Sequence, residues 1–264
     1  MDPTLKDVVD SYDAGAPLER AWTIPASWYV DARVATLEAS TVFRRTWQMV
    51  GRVDQVQLPG QYLTTELVGE PILVVRGNDG ELRAFYNVCR HHAAAVMTEA
   101  QGKADRLRCP YHGWTYGLDG RLRGTPDFAG VCDFDPARSG LVPVAVGVWE
   151  TFVFVRLNAE GPSLPSYLGT DLIEQFRPLG LGNLHFMERR RYAFECNWKV
   201  FVDNYLDGGY HIPYLHKGLD SVLDYSRYTI ENGERFCLQK SPIVQEGAEP
   251  QTGAVRRGSE ALYY

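Results

Sequence analysis

The sequence predicts an α+β protein, in which a β-rich module precedes a second module that begins with a helix. Between about residues 45 and 160, short apolar stretches with the alternation of strands are separated by turn residues such as Gly and Asp. Residues 31–49, and the stretch that starts at Trp198, instead repeat apolar residues at the spacing of an amphipathic helix. Strands and helices in separate parts of one chain are typical of the α+β class.

Local patterns place the individual elements. In the helix predicted at 31–49, Asp31 can cap the start and four apolar residues recur at near-helical spacings, namely Val34, Leu37, Phe43 and Trp47. From Gly51 onward the pattern changes to that of strands, and the Gly/Pro/Ser run at 161–165 is typical of a linker. Strands are predicted at 71–76, 81–88, 114–116, 121–122, 144–149 and 151–157, with hairpin turns at 77–80 and 117–120.

Composition and charge restrict the classes of function. At 264 residues and 45% hydrophobic composition, the chain can form one large or two small globular domains. Its net charge of -6 gives no long-range attraction for nucleic acid or for an anionic membrane. The longest apolar stretch, 141–155, is interrupted by Pro143 and Glu150 and is predicted to form strands, not a membrane span. The polar, acidic start lacks the pattern of a secretory signal, which predicts a cytoplasmic protein with small-molecule ligands.

Two short pairs of cysteine and histidine are the most informative feature of the sequence. Cys89 is followed two residues later by His91, Cys109 is followed three residues later by His112, and seventeen residues separate the pairs. Each pair can therefore give one sulfur to one metal ion and one nitrogen to another. In a Rieske [2Fe-2S] cluster, two histidines replace two cysteines on one iron. The four residues are predicted to bind such a cluster.

A structural zinc site and a set of unconnected core residues are the alternatives for these pairs. Zinc fingers usually place two cysteines on one knuckle and two histidines on another, whereas sulfur and nitrogen alternate here. The chain has only five Cys and six His, so chance is a poor explanation of the spacing. Without a secretory signal, the remaining cysteines are predicted to be reduced thiols: Cys132, Cys196 and Cys237.

The helix predicted after the linker carries two kinds of side chain. Four apolar residues at helical spacing predict a buried stripe, namely Trp198, Phe201, Val202 and Tyr205. Asn204, Asp207 and His211 lie three and then four residues apart and can share a separate, polar face.

His211 and His216 are five residues apart, so a regular helix would point them about 140° from one another. Pro213 breaks or kinks a helix, and this break is predicted to turn the second histidine toward the first. Gly208 and Gly209 are predicted to loosen the turn before it. Two such histidines are, taken alone, more often unrelated polar core residues than ligands. Their position downstream of a Rieske motif favours a second metal site.

These motifs together resemble the catalytic (alpha) subunits of the Rieske non-heme iron oxygenases, in the superfamily of aromatic-ring-hydroxylating dioxygenases. The loops Cys89-Arg-His and Cys109-Pro-Tyr-His-Gly-Trp match the cluster-binding loops of the family. His92 stands where the oxygenases usually carry Arg, and it is expected to be a loop side chain, not a fifth ligand. The segment 203–219 looks most like the choline monooxygenase branch, which hydroxylates a methyl group on a quaternary ammonium.

The resemblance implies a domain organisation. Residues 1–44 are expected to form an N-terminal helical segment packed on the catalytic domain, and residues 45–160 the Rieske [2Fe-2S] domain. Residues 161–264 are expected to form the first part of a helix-grip (α/β sandwich) catalytic domain. The family holds a mononuclear iron with two His and one carboxylate, a ligand set that suits Fe(II) binding O2. That carboxylate lies on a helix well downstream, so this stretch is expected to be a truncated, inactive oxygenase subunit.

The resemblance also assigns roles to residues of the second site. His211 and His216 are expected to be ligands of the mononuclear Fe(II), and Asn204 a neighbour of that iron. Asp207 is expected to be the acid that bridges this iron site to His112 of the partner subunit, since family members commonly assemble as rings of three. A carboxylate bonded to a metal-bound imidazole is a recurrent arrangement.

Three other carboxylates have lesser expected roles. Many family members place the bridging acid three residues before the first histidine, whereas Asp207 lies four before it, so Asp203 is the reserve candidate. Asp203 is otherwise expected to be an exposed helix carboxylate. Glu246 and Glu249 lie in a Gly/Pro-flanked loop and are expected to be solvated, so no carboxylate is named as an iron ligand.

The function implied by the resemblance is oxygenation. A flavin/iron-sulfur reductase or a ferredoxin is expected to pass electrons through the cluster to the mononuclear iron, which activates O2 to hydroxylate a small molecule such as choline. One alternative is an aromatic-ring-hydroxylating dioxygenase, and others are a Rieske ferredoxin-like electron carrier or an inactive relative. A carrier needs little beyond the cluster domain, whereas about one small domain follows the linker here.

Overall fold

The computed structural model describes residues 3–243, 255–257 and 260–263. The chain divides into two compact units. The first comprises Met1–Ala35, Leu168–Leu179 and Arg190–Tyr264, and the second comprises Thr36–Tyr167 and Gly180–Arg189. Helices and antiparallel strands occupy different stretches, which confirms the predicted α+β class. The predicted domain boundaries at 44 and 160 stay a prediction.

The second unit is built from antiparallel strands. In chain order they are β1 (Gln48–Arg52), β2 (Gln61–Leu67), β3 (Glu70–Arg76), β4 (Leu82–Tyr86), β5 (Gln101–Lys103), β6 (Leu107–Arg108), β7 (Thr115–Tyr116), β8 (Leu122–Gly124), β9 (Pro143–Trp149) and β10 (Phe152–Arg156). Seven of them form one sheet in the order β1-β10-β9-β4-β3-β2-β5, and β6, β7 and β8 form a smaller sheet. Both predicted hairpins are present, one joining β3 to β4 and the other joining β7 to β8.

Apolar side chains cover both faces of the large sheet. Along β3, Ile72 and Val74 belong to one buried cluster, whereas Leu73 and Val75 belong to the other. This division follows from the strand geometry, which points successive side chains to opposite faces. The cluster that contains Leu73 and Val75 also includes four residues of the ligand loops and the strand after them, namely Cys89, Cys109, Trp114 and Tyr116. The core of the unit therefore holds the sulfur side of the predicted cluster site.

The helices occupy stretches of the chain before and after these ten strands. They are α1 (Leu5–Asp10), α2 (Ser27–Val30), α3 (Ala32–Glu38), α4 (Leu164–Leu168), α5 (Thr170–Phe176), α6 (Trp198–Leu206), α7 (Ile212–Leu215) and α8 (Lys217–Asp220). The first unit also contains a sheet with the order β11-β12-β14-β13, made of β11 (Thr229–Asn232), β12 (Cys237–Pro242), β13 (Val255–Arg257) and β14 (Glu260–Tyr263). None of the helices in the described ranges has the length and apolarity needed to cross a bilayer.

The helix predicted at 31–49 is shorter in the structure. Asp31 accepts a hydrogen bond from the backbone N of Arg33 at 2.9 Å, as a capping residue does. The α-helix then ends at Glu38, a π-helical turn follows over Ala39–Phe43, and a strand begins at Gln48. The Ser40 and Thr41 hydroxyls both donate to the Leu37 carbonyl, which competes with regular helical bonding at that point.

The apolar stripe predicted on α6 is not buried by the described residues. Phe201 and Tyr205 are 58% and 62% exposed, and Trp198 is also exposed. The helix itself is present from Trp198 to Leu206, and Asn197 caps it by accepting a hydrogen bond from the backbone N of Lys199. The spacing thus predicted the helix correctly, but the prediction of a buried stripe is wrong for this chain.

Candidate metal centres

The two cluster-ligand loops share one backbone geometry. In the first loop, the Cys89 amide donates to the Ala94 carbonyl at 2.8 Å and the Cys89 carbonyl accepts from Ala93 at 3.0 Å. In the second, the Cys109 amide donates to Trp114 at 2.9 Å and its carbonyl accepts from Gly113 at 3.1 Å. Each loop therefore closes with the same two hydrogen bonds. The cysteine amide donates to the carbonyl five residues later, and the cysteine carbonyl accepts from the amide four residues later. This closure holds both cysteines inside the core, where each is buried.

The histidines of the two loops lie side by side. The ring centroids of His91 and His112 are 4.8 Å apart, and His112 is exposed. His92 is also near, with its ring centroid 3.9 Å from that of His91 and 5.2 Å from that of His112. Nitrogens from all three rings fall within 4.8 Å of one another. The nitrogen side of the site therefore reaches the protein surface, and the sulfur side is buried.

His91 has an unsatisfied polar atom. Its Nδ1 is buried and has no hydrogen-bond partner among the described residues. Burial, followed by the neighbouring His92 and His112, lowers the pKa of His91 and so favours the neutral imidazole that binds metals. Buried nitrogens without a partner are rare in native proteins. Because metal ligation would satisfy this atom, the residues present fit a cluster with histidine ligands.

An aromatic wall fixes the plane of His91. The buried Trp114 ring stacks on the His91 ring with a centroid distance of 4.7 Å and an interplanar angle of 1°. Phe128 meets both rings edge on, at 6.4 Å from His91 and 5.5 Å from Trp114. Stacking on a buried indole restricts rotation of the imidazole, so its ring nitrogens keep fixed directions.

Tyr116 is a residue of this site that the sequence did not predict. Its fully buried hydroxyl lies 3.3 Å from Cys89 Sγ and accepts a hydrogen bond from the Arg90 amide at 2.9 Å. Burial, and then the contact with Cys89, raises the pKa of Tyr116 well above its usual range, so the phenol stays protonated. With the amide as donor to its oxygen, the hydroxyl proton can point at the sulfur. The strand alternation around 115–116 was the available signal, since it turns this tyrosine inward.

The second centre lies in the first unit, around a cavity of about 240 Å³. His211 and His216 both line it, with ring centroids 5.1 Å apart, and Asn204 lines it as well. The other lining residues are Tyr205, Gly209, Ile212, Leu219, Tyr228 and Gln239. Two imidazoles that open onto one cavity are a donor set for a divalent transition metal. The structure therefore brings together two predicted ligands and one predicted neighbour.

Asp207 contacts the first of these histidines. Its Oδ2 lies 3.2 Å from Nδ1 of His211. A carboxylate at Nδ1 holds the proton there and leaves Nε2 free to bind a metal. Asp203, the reserve candidate, is instead bonded to the hydroxyl of Tyr29. Glu246 and Glu249 lie outside the described residues, and within the described ranges no Asp or Glu completes a three-ligand group with the two histidines.

Two glycines explain how Asp207 reaches His211 across one extra residue. Gly208 and Gly209 have φ of 67° and 77°, in the left-handed region that other residues rarely adopt. Helix α6 ends before them, and α7 begins at Ile212 with Pro213 in its first turn. The glycines therefore interrupt the helix, in line with the turn predicted at them, whereas Pro213 does not break it, because a proline is tolerated in a first turn.

The chain matches two family models in succession. Residues 46–135 match the Rieske [2Fe-2S] domain, and residues 181–258 match the ring hydroxylating alpha subunit (catalytic domain). The four cluster-ligand candidates lie within the first match, and the two histidines of the cavity lie within the second. A Rieske domain implies a [2Fe-2S] cluster, and ring-hydroxylating oxygenases use a mononuclear iron.

Known proteins align with almost the whole chain. Choline monooxygenase, chloroplastic, of Arabidopsis thaliana is 37% identical over 98% of this chain and 63% of its own length. The carnitine monooxygenase oxygenase subunit of Escherichia coli strain K12 is 35% identical over 88% of this chain and 64% of its own length. A crystal structure of the quaternary ammonium Rieske monooxygenase CntA superposes with a TM-score of 0.80 and 31% identity, over 84% of this chain and 62% of that one.

The chain thus spans somewhat less than two thirds of the relatives that it matches. The family predicted from the ligand loops is confirmed by both domain matches and by these relatives. This chain contains a Rieske [2Fe-2S] domain and a ring-hydroxylating alpha-subunit domain, and it is homologous to the oxygenase subunits of choline and carnitine monooxygenases.

Proposed function

We propose that this chain is the oxygenase part of a Rieske-type monooxygenase that hydroxylates a small quaternary ammonium compound such as choline. One observation carries the proposal: the two groups of candidate ligands lie within matches to two domains of one family, in their family order. The relatives named for choline and carnitine monooxygenases are 37% and 35% identical to this chain.

Cys89, His91, Cys109 and His112 are the proposed ligands of the [2Fe-2S] cluster, and His211 and His216 those of the mononuclear Fe(II). The cluster supplies one-electron transfer, and the Fe(II) supplies binding and activation of O2. The protein contributes the arrangement described above. The Trp114 ring orients His91, and the Tyr116 hydroxyl lies within hydrogen-bond distance of Cys89 Sγ. The exposed His112 leaves one edge of the site open to an electron donor.

The donor is proposed to be a flavin/iron-sulfur reductase or a ferredoxin. Rieske oxygenases as a class take electrons from such a partner, and the neighbouring structures are multimeric. One CntA structure is described in terms of inter-subunit electron transfer. We propose the same arrangement here, in a homotrimer. Asp207 would accept the Nδ1 proton of His211 with one oxygen and contact His112 of the partner subunit with the other.

The proposed substrate carries a quaternary ammonium group, a cation that has no N–H to donate. Tyr205 and Tyr228 line the cavity next to the two histidines, and aromatic faces attract quaternary ammonium groups. Asn204 supplies an amide group that can bind a substrate hydroxyl. An aromatic-ring-hydroxylating dioxygenase is the second candidate, favoured by the description of the domain model that matches residues 181–258.

Oxygen uptake tests the proposal. The protein is prepared at its natural full length, including any residues that its reading frame adds after Tyr264, and is loaded with cluster and Fe(II). With a reductase and NADH we expect O2 uptake that depends on choline or a related quaternary ammonium. His211→Ala should abolish uptake and mononuclear iron while keeping the cluster spectrum. His185→Ala, an exposed histidine outside both sites, is the matched control and should behave as wild type.

Other outcomes distinguish the alternatives. Uptake with planar aromatic compounds but not with quaternary ammonium compounds would favour the dioxygenase. Cluster reduction without uptake for any substrate would indicate a ferredoxin-like carrier or an inactive relative. A colourless protein that contains zinc and no acid-labile sulfide would overturn the cluster assignment itself.

The location in the cell is proposed to be the cytoplasm. The plant relatives are named as chloroplastic, so a chloroplast is the competing compartment for proteins of this type. Cell fractionation with an antibody to the native protein would distinguish the two.

A further inference from the structure

Gln239 connects three parts of the first unit through its side-chain amide. It lies on β12, half-buried, and lines the cavity that also contains the two histidines. Its Nε2 donates to the Tyr205 carbonyl at 3.1 Å, and its Oε1 accepts a hydrogen bond from the Tyr228 hydroxyl. The donor end and the acceptor end of one amide are thus both engaged, which fixes its orientation.

The first partner of Gln239 is the end of a helix. Tyr205 is the second-last residue of α6, and the last four carbonyls of a helix have no partner within it. Gln239 therefore bonds one of these free carbonyls and ties the helix end to the sheet. The chain that leaves this helix end runs directly into Asp207 and, after the two glycines, into His211.

The second partner of Gln239 covers the turn between those residues. A Cβ atom placed on Gly209 would lie only 3.1 Å from the Tyr228 ring, so this ring packs directly on the backbone of the turn. The hydrogen bond from its hydroxyl to Gln239 holds the ring in that position. One glutamine thus restrains the segment 205–211 at its start and across its middle.

We propose that Gln239 is a positioning residue of the mononuclear centre, which sets where Asp207 and His211 stand relative to His216. The inference rests on the proposed function, since it assumes a metal ion at the two histidines. It goes beyond that function because the positions of Asp207 and His211 then depend on a residue about thirty positions after them in the chain, on a strand and not on the helices.

The neighbouring residue on the same strand provides a matched control. Lys240 follows Gln239, so its side chain points to the opposite face of the strand. There it pairs with Glu231 at 3.3 Å, away from the helix end. If the strand only needed polar side chains, substitutions at Gln239 and at Lys240 would weaken metal binding equally. If Gln239 is a positioning residue, only the substitution at Gln239 should weaken it.

Co(II) binding to the natural full-length protein with its cluster tests the inference. The oxidised cluster gives no EPR signal, so the high-spin Co(II) signal can be read in its presence, and the signal of the reduced cluster reports on the second unit. We expect Gln239→Leu to raise the Co(II) Kd about tenfold and to alter the Co(II) signal. Gln239→Glu keeps the acceptor for Tyr228 but loses the donor, and should raise the Kd about threefold. Lys240→Met should bind as wild type.

The outcomes separate this inference from the proposed function. If Gln239→Leu binds Co(II) like wild type while His211→Ala does not bind it, the inference is overturned and the proposed function stands. If His211→Ala also binds like wild type, there is no metal site at the histidines and both fail. Should the Leu variant lose its cluster signal through misfolding, the Glu variant decides, because it preserves size and one hydrogen bond.

Discussion

The Asp207 carboxylate lies 3.2 Å from Nδ1 of His211, four residues further along the same chain. An i, i+4 pair on a continuous helix could make the same contact, but here the chain reaches it through two left-handed glycines. The turn therefore creates the contact. Within one subunit, the Asp207 carboxylate keeps the proton of His211, a proposed iron ligand, on Nδ1.

Replacement of Asp207 by Asn should weaken metal binding. An uncharged amide stabilises the Nδ1 proton less than a carboxylate does, so His211 becomes a poorer ligand through Nε2. We expect the Co(II) Kd to rise at least about tenfold, as for other residues that hydrogen-bond a ligating histidine. Asp203→Asn is the control, since Asp203 is bonded to Tyr29 and not to a histidine. The opposite ranking of the two variants would assign the role to Asp203.

Replacement of Tyr116 by Phe should lower the reduction potential of the cluster. Hydrogen bonds to cluster sulfurs stabilise the more electron-rich reduced state, and this hydroxyl lies 3.3 Å from Cys89 Sγ. A difference of about 1 kcal/mol between the redox states corresponds to about 40 mV for one electron. Protein film voltammetry would measure it. Tyr111→Phe is the control, because that exposed ring stacks on His112 and leaves the sulfur contact intact; equal shifts in both variants would contradict the assignment.

Replacement of Tyr29 by Phe should change stability at high pH. Burial, and then the hydrogen bond to Asp203, raises the pKa of Tyr29 from its ordinary value of 10.0 to about 12. A raised folded-state pKa contributes stability that is complete below pH 10 and is lost as the pH rises toward 12. Urea midpoints between pH 8 and about 11.5 should therefore fall less steeply in the variant. Tyr12→Phe, which removes the hydroxyl of a ring packed against Trp28, should follow wild type.

Replacement of Gly209 by Ala should destabilise the turn. A left-handed conformation costs a residue with a Cβ atom about 1–2 kcal/mol, and this Cβ would also press on the Tyr228 ring at 3.1 Å. We expect a loss of at least about 1 kcal/mol in unfolding free energy, measured by denaturant titration, together with weaker Co(II) binding. Gly218→Ala provides the contrast, because its Cβ would meet nothing within 4 Å and alanine favours the helix there.

Local spacing made the ligand loops and hairpins predictable from the sequence. Each pair of Cys and His lies within four residues, and each hairpin turn carries its own Gly and Asp residues, so short-range patterns were sufficient. The family and its cofactors, predicted from these motifs, are confirmed by the domain matches. The individual site residues stay predictions, with a geometry that supports them.

Contacts between distant elements could not be predicted in this way. Tyr116 reaches Cys89 from a strand twenty-seven residues away, and Gln239 reaches Tyr205 over thirty-four. No periodicity within either strand indicates such a partner. The sequence indicated a turn at Gly208 and Gly209, but the left-handed φ values that let Asp207 reach His211 are seen only in the structure.

The identical closure of the two cluster loops has a consequence for cofactor assembly. Each loop is closed by its own backbone hydrogen bonds, so the entropy of ordering the cysteine ligands is lost in forming the loop itself. A cluster bound by these loops would therefore meet two cysteines whose positions the backbone already fixes.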